Sequence, residues 1–358
     1  MNQLKIKNLI RKDLSEFTPY GNGGSSGEKM VLLNANEVPF CPLSAGRLNR
    51  YPDPLHNRLK EKLSRTFHIP RESVFTGHGS DEVIDLLIRG FCNQGTDHIA
   101  VLPPSYRMYS VYASLNGIGV RSIPLENDFQ PDPEKILDLG KGAKILFLCS
   151  PNNPTGNLIR REITGELLRK FPGLVVVDEA YIDFSGDCGW AGSVSEFPNL
   201  VVLRTLSKSW GLAGARVGFL AGDPGIVRFL DSIKPPYNLS GLSIDAAVTA
   251  MKRKRFQRKC VDSLKEGRES LREELDRMEC VQMVYPSDAN FLLVKFRDGG
   301  RVFRYLKECG ILVRDVSSLP GCTDCLRISV GSRRENQKLL KILGRYRGEE
   351  LYGKNSVS

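Results

Sequence analysis

Short β-branched and apolar runs recur between about residues 45 and 235, and each breaks off at a group of polar or glycine residues. SVFTG at 73 to 77 leads into SDEVIDLLIRGF, HIAVL into PPSYRMYSVYASLNG, and KILFLCS into PNNPTG; LVVVDEAY, LVVLRTLSKSWG and RVGFLAG follow. Strand, loop and helical spacing repeated in this order produce a sheet that is mostly parallel and covered by helices. The expected fold class is therefore α/β. Ligands of such sheets sit at the carboxyl ends of the strands, which is where the polar residues collect.

At 358 residues the chain exceeds what one compact core usually holds. After PPYNLSGLS a charged helical stretch reaches about Met278, and NFLLVKF, a helical RVFRYLKECG, ILVRDV and CLRISVG follow it as an α+β pattern. The division read from this is an amino-terminal arm over 1–44, a large domain over 45–243 and a smaller carboxyl-terminal domain over 244–358. GNGGSSGEK at 21 to 29 reads as a flexible loop, and the residues after Arg347 read as a frayed tail.

Hydrophobic residues make up 41% of the chain and charged residues 26%, the balance of a globular protein with a large core. No run of about 18 apolar residues offers a membrane span. MNQLKIKNLIRKDLSEF is amphipathic and carries acidic residues, unlike a cleavable signal. The expected location is the cytoplasm, with no membrane partner. Nine cysteines, spread from Cys41 to Cys325, suit reduced thiols better than a disulfide framework. Cys322 and Cys325 are the one close pair, but all four histidines lie between His56 and His98, so no zinc ligand set is completed and no metal is expected. Net charge is +10, and its densest run, KRKRFQRK at 252 to 259, continues into KEGRESLREELDRM. There the signs mix at helical spacing, the pattern of a solvated helix face, so no nucleic-acid partner is expected.

Four polar clusters at strand ends fit one kind of ligand, an aromatic nitrogen heterocycle bearing an aldehyde and a phosphate. Pyridoxal 5′-phosphate is that molecule. In LRTLSKSWGLAGARVG, Lys208 follows a strand within a hydroxyl-rich turn, where a partly neutral amine forms a Schiff base with an aldehyde. Thr205 and Ser207 offer hydroxyls to a phosphate, and Arg216 offers a guanidinium fork; taken singly, Lys208 reads as a surface lysine. VVVDEAY puts Asp178 at the tip of a buried strand, where a carboxylate is costly without a partner. A pyridine nitrogen is one such partner, and a helix cap or an arginine is another. SPNNPTG, from Ser150 to Gly156, is a rigid turn in which Asn153 can donate to a ring oxygen; a turn alone explains the prolines and glycine but not two adjacent amides. In TGHGSDE at 76 to 82, the amides of Ser80 and Asp81 suit a phosphate at a helix start. The same two residues suit a helix cap, and the readings are compatible. His78 reads as a loop residue with no nucleophile to serve.

In this order and spacing, NPTG, DEAY, GSDE and the SK of TLSKSWGLAGARVG, with an arginine eight positions on, resemble the fold type I pyridoxal-phosphate enzymes, the aspartate aminotransferase superfamily. FTPYG at 17 to 21, LNANEVPF at 33 to 40, RYPDP at 50 to 54, PPSYRMYSV at 103 to 111, GILVRD at 310 to 315 and CLRISVG at 325 to 331 narrow the resemblance to the histidinol-phosphate aminotransferase family, over about residues 17 to 335. The resemblance implies a large domain with a mostly parallel central sheet, a smaller α+β domain, and an arm packing with that domain and a dimer partner. It implies Lys208 as the catalytic Schiff-base lysine, Asp178 opposite the pyridine nitrogen, and Asn153 and Tyr181 at the ring oxygen. Tyr106 would stack on the ring, and Ser80, Asp81, Thr205, Ser207 and Arg216 would hold the phosphate. It also implies a homodimer in which Tyr51 reaches the phosphate of the other subunit's site, and substrate contacts from Tyr20, Arg314 and Arg327. The implied reaction exchanges the amino group of L-histidinol phosphate with 2-oxoglutarate, giving imidazole acetol phosphate and L-glutamate, in histidine biosynthesis.

The cofactor motifs are shared with aminotransferases for aromatic amino acids and with phosphate-bearing decarboxylases, so only the substrate residues separate these activities. A non-catalytic binding protein on the same fold is the alternative of another class, and the intact set of Lys208, Asp178 and Arg216 speaks against it. TDC before CLR, SGDCGWAGSVSE and the basic run match nothing in the family pattern.

Overall fold

The computed structural model describes residues 6–14, 17, 31, 33–41 and 48–347, and two sheets organise them. The larger has seven strands: β1 (Val74–His78), β2 (His98–Val101), β3 (Gly119–Ser122), β4 (Ala143–Cys149), β5 (Leu174–Asp178), β6 (Leu200–Thr205) and β7 (Val217–Gly222). Their spatial order is β1-β7-β6-β5-β4-β2-β3. β7 runs antiparallel to both neighbours, and all other pairs are parallel. The class is thus α/β with a mostly parallel central sheet.

Side chains alternate faces along a strand, so a strand covered on both sides is apolar at every position. That is the reason for the valine run of β5. Val175 and Val177 enter one core with Leu146, Leu148 and Val202, while Leu174 and Val176 enter the opposite core with Phe147, Val201 and Leu203. The first core is covered by α1 (Asn57–Phe67), α4 (Pro133–Leu139), α5 (Arg161–Lys170) and α7 (Gly241–Met251). The second is covered by α2 (Gly79–Phe91), α3 (Met108–Leu115) and α6 (Pro224–Ile233). Local chemistry sets several starts: before α4, the Asp132 side chain accepts from the N–H groups of Glu134 and Lys135 with Pro133 at the first turn.

The second sheet is antiparallel, in the order β10-β11-β9-β8, with β8 (Val281–Val284), β9 (Phe291–Phe296), β10 (Arg314–Asp315) and β11 (Cys325–Ser329). It shares a core with α8 (Lys254–Asp276), α9 (Gly299–Glu308) and α10 (Arg333–Leu343) through Leu271, Leu275, Val302, Leu306, Leu339 and Leu343.

Three expectations change. The helical stretch expected to run to Met278 is two helices, and the first of them, α7, buries Ile244, Ala247, Val248 and Met251 in the core of the large sheet. Of ILVRDV only Arg314 and Asp315 pair into the sheet. Residues 6–14 of the amino-terminal arm pack on the large sheet's second core and not on the smaller sheet. Ile6, Leu9 and Ile10 share one face of a helical turn there, and the Arg11 N–H donates to the Gly90 carbonyl at 2.9 Å. All nine cysteines are free thiols. Among the described residues no helix is long and apolar enough to cross a membrane, and no three His, Cys, Asp or Glu side chains gather as metal ligands.

Candidate active site

β1, β4, β5 and β6 point the same way, so their carboxyl ends open on one edge of the sheet. A cavity of about 140 Å³ lies there, lined by Ser80, Asp81, Tyr106, Asn153, Asp178, Tyr181, Thr205, Ser207, Lys208 and Arg216, together with Cys149, Ala180 and Ala213. Ten residues singled out in the sequence are brought together by this edge. Tyr51, Arg314 and Arg327 do not line it, and Tyr20 lies outside the described residues.

Asp178, the last residue of β5, is 3% exposed. Its Oδ2 accepts from the Tyr109 hydroxyl at 2.7 Å and its Oδ1 from the Ala180 N–H at 3.1 Å. Burial raises its pKa to about 6, and these two donors restrain the rise. Tyr109 was not marked by the sequence. Glu179, the neighbouring acid of DEAY, faces away and pairs with Arg204 at 2.7 Å. Arg204 also approaches Asp183, whose carboxylate accepts from the Ser209 hydroxyl and so fastens the residue after Lys208.

Lys208 opens on the cavity, with its Nζ 5.5 Å from the centre of the Tyr181 ring. Loss of water around the amine, and then the charge of Arg327, lower its pKa against the opposing pull of Asp178. A lysine so placed is more readily neutral, the state that attacks a carbonyl or carries a proton. Burial likewise holds the Tyr181 hydroxyl well above its ordinary value, keeping it a donor.

The start of α2 forms the other end of the cavity. His78 is its N-cap residue without a side-chain cap bond, and the Glu82 carboxylate accepts the His78 N–H at 2.6 Å. Ser80 and Asp81 therefore sit inside the first turn, where main-chain N–H groups lack helical partners. The Asp81 carboxylate is held by the Tyr106 hydroxyl at 3.0 Å and Arg216 Nη2 at 3.3 Å, which leaves its N–H as what it can offer an anion. Backbones approach closely here: a Cβ on Gly79 would stand 2.5 Å from Arg216 Nη2, and one on Gly218 would stand 2.2 Å from the Ser80 nitrogen. Thr205 is engaged within its own turn, accepting from the Ser207 N–H at 3.1 Å and donating to the Val217 carbonyl at 3.4 Å.

The two adjacent amides of SPNNPTG divide their work. Asn152 holds the turn, donating to the Pro104 carbonyl at 2.8 Å and the Thr155 hydroxyl at 2.7 Å, while Asn153 lines the cavity and accepts from Arg327. Arg327 reaches over from β11 with its guanidinium 5.3 Å from the Phe291 ring centre. Its register partner on β10 is Arg314, and both line a second cavity of about 560 Å³. Tyr51 stands elsewhere, 58% exposed and stacked on Tyr237 at 4.5 Å between ring centres.

Residues 28–343 match the family described as aminotransferase class I and II. The chain belongs to that family. A histidinol-phosphate aminotransferase of Cytophaga hutchinsonii is 41% identical over 344 residues, 95% of this chain and 99% of that one. One of Flavobacterium johnsoniae is also 41% identical, over 349 residues, covering 96% and 99%. Among solved structures, the histidinol-phosphate aminotransferase of Clostridium acetobutylicum aligns with a TM-score of 0.77 at 24% identity over 83% of this chain and 90% of that one. That of Sinorhizobium meliloti in complex with pyridoxal 5′-phosphate aligns with a TM-score of 0.74 at 23% identity over 82% of each. Class I and II aminotransferases use pyridoxal 5′-phosphate, and the residues of this aminotransferase fit it. A buried carboxylate with lone pairs to spare, an amine of lowered pKa and a turn of unpaired N–H groups beside an arginine match its ring nitrogen, aldehyde and phosphate in turn.

Proposed function

We propose that this aminotransferase moves the amino group of L-histidinol phosphate to 2-oxoglutarate, giving imidazole acetol phosphate and L-glutamate in histidine biosynthesis. The observation that carries the reading is the pair of arginines, Arg327 bound to cavity-lining Asn153 and Arg314 opposite it on the neighbouring strand. The two half-reactions require one site to take a phosphate monoester and then a dicarboxylate, and guanidinium forks fit both anions. The curated relatives at about 40% identity support the same substrate.

In this reading Lys208, Asp178 and Tyr181 are the catalytic residues. The bound cofactor supplies an electron sink for charge developing at the substrate Cα. Asp178 holds the ring nitrogen protonated, and the amine of Lys208 takes and returns the proton of the substrate Cα. Asn153 and Tyr181 hold the ring oxygen, Tyr106 covers the ring, and Ser80, Asp81, Ser207 and Arg216 hold the phosphate. Thr205 shapes their turn. Arg314 and Arg327, with Tyr20, receive the anionic ends of the substrates.

The same reading makes the protein a cytoplasmic homodimer with shared sites. Tyr51 supports this, because it stands outside its own chain's cavity beside the exposed Phe40 and Leu242, where a second copy would bring another cavity to it. In the same reading the large domain runs on through α7, which shares the large sheet's core, and the smaller domain starts at α8. Purified protein supplied with pyridoxal 5′-phosphate, histidinol phosphate and 2-oxoglutarate should release glutamate only when both substrates are present. Absence of glutamate under those conditions would overturn the assignment.

A further inference from the structure

Tyr109 does not line the cavity, yet its hydroxyl binds the carboxylate at the cavity floor. It is completely buried. Its ring is stacked on Phe147 of β4 at 4.5 Å and 11°, and meets Tyr106 edge to face at 5.5 Å and 82°. Two aromatic neighbours therefore fix where the hydroxyl points. A carboxylate offers about four lone-pair sites. Tyr109 and the Ala180 N–H take one on each oxygen of Asp178, and the remaining two are available to a ligand in the cavity. Burial holds the Tyr109 pKa far above its ordinary value, so the shared proton belongs to the tyrosine.

We propose that Tyr109 is a positioning residue: by donating to Asp178 it keeps that carboxylate an acceptor turned into the cavity, and so selects a ligand whose aromatic ring presents an N–H there. The inference rests on the cofactor reading above and adds to it the residue that sets the contact with the ring nitrogen. Without the hydroxyl, the buried carboxylate keeps one donor fewer and its pKa rises beyond about 6. At a given pH more of it then carries a proton and accepts nothing.

The test titrates the cofactor-stripped full chain, wild type and Tyr109→Phe, with pyridoxal 5′-phosphate and with its analogue carrying CH in place of the ring nitrogen, from about pH 6 to about pH 9. Tyr109→Phe keeps the ring and its packing. It should bind pyridoxal 5′-phosphate roughly tenfold more weakly near pH 6, with the deficit closing toward about pH 9 as Asp178 ionises in both proteins. The CH analogue should bind the two proteins equally. In an Asp178→Asn background, adding Tyr109→Phe should change the affinity no further. A loss equal for both ligands and at every pH, or no loss at all, overturns the inference and leaves the cofactor reading standing. A wild type that binds neither ligand overturns the cofactor reading and the inference with it.

Discussion

Lys208 and Asp178 are both shifted by loss of water, in opposite directions, and for Asp178 this has a consequence before any ligand binds. Its pKa rises from 3.8 to about 6, and a carboxyl raised in the folded state stabilises the fold only while protonated. That contribution is present below about pH 4 and is lost as pH rises through about 6. Cofactor-free wild type should lose on the order of 2–3 kcal/mol by this route between about pH 4 and about pH 7. Asp178→Asn should abolish that part of the slope in denaturant unfolding measured at each pH; identical slopes in the two proteins would contradict it. Asp178 and Lys208 are legible in the sequence because each ends or follows an apolar run, and a parallel sheet carries such ends to one edge; Arg216 instead stands just before the antiparallel β7, whose start lies at that same edge. Tyr109 is not legible. In PSYRMYSVYASL it is one of three tyrosines at helical spacing and reads as core, which it also is. Nor does adjacency tell that Asn152 serves the turn and Asn153 the cavity, since that choice depends on Pro104 and Arg327 from distant parts of the chain.

Between elements, the close crossing of β7 under the start of α2 does most to shape the anion end of the cavity. RVGFLAG is readable as a strand, but not as the one that runs against the others, because direction is set by hydrogen bonds to β1 and β6 far away in sequence. The reversal brings Gly218 against the Ser80 nitrogen. Gly218→Ala should push that turn away, costing about 1–3 kcal/mol as an overpacked site and weakening pyridoxal 5′-phosphate binding roughly tenfold. Thermal unfolding and cofactor titration of one preparation check both; wild-type values in each would show that the turn yields and is not the phosphate seat. The arginine pair behaves in the same way. GILVRD and CLRISVG each show an arginine beside an apolar run, yet only the ladder of β10 on β11 sets Arg314 opposite Arg327.

For the whole molecule, net charge +10 is partly accounted for by the run at 252 to 259, where Lys252 through Phe256 are exposed at the junction of α7 and α8, as a solvated face would be. Assembly is the larger question. Chains carrying Tyr51→Ala and chains carrying Lys208→Ala should each be impaired, and a mixed dimer would contain one site with both side chains intact. Activity should return on mixing and refolding; mixed dimers that form but recover nothing would confine Tyr51 to its own chain. The claim about substrate is tested most directly by kcat/KM for histidinol phosphate, unphosphorylated histidinol and phenylalanine, in wild type and Arg314→Ala. Wild type should prefer histidinol phosphate, and losing the solvent-exposed Arg314 should cost it on the order of 1 kcal/mol with little change for the two substrates that lack a phosphate. A wild type that uses phenylalanine as well as histidinol phosphate, with Arg314→Ala affecting both alike, would contradict the assignment and make this an aromatic aminotransferase.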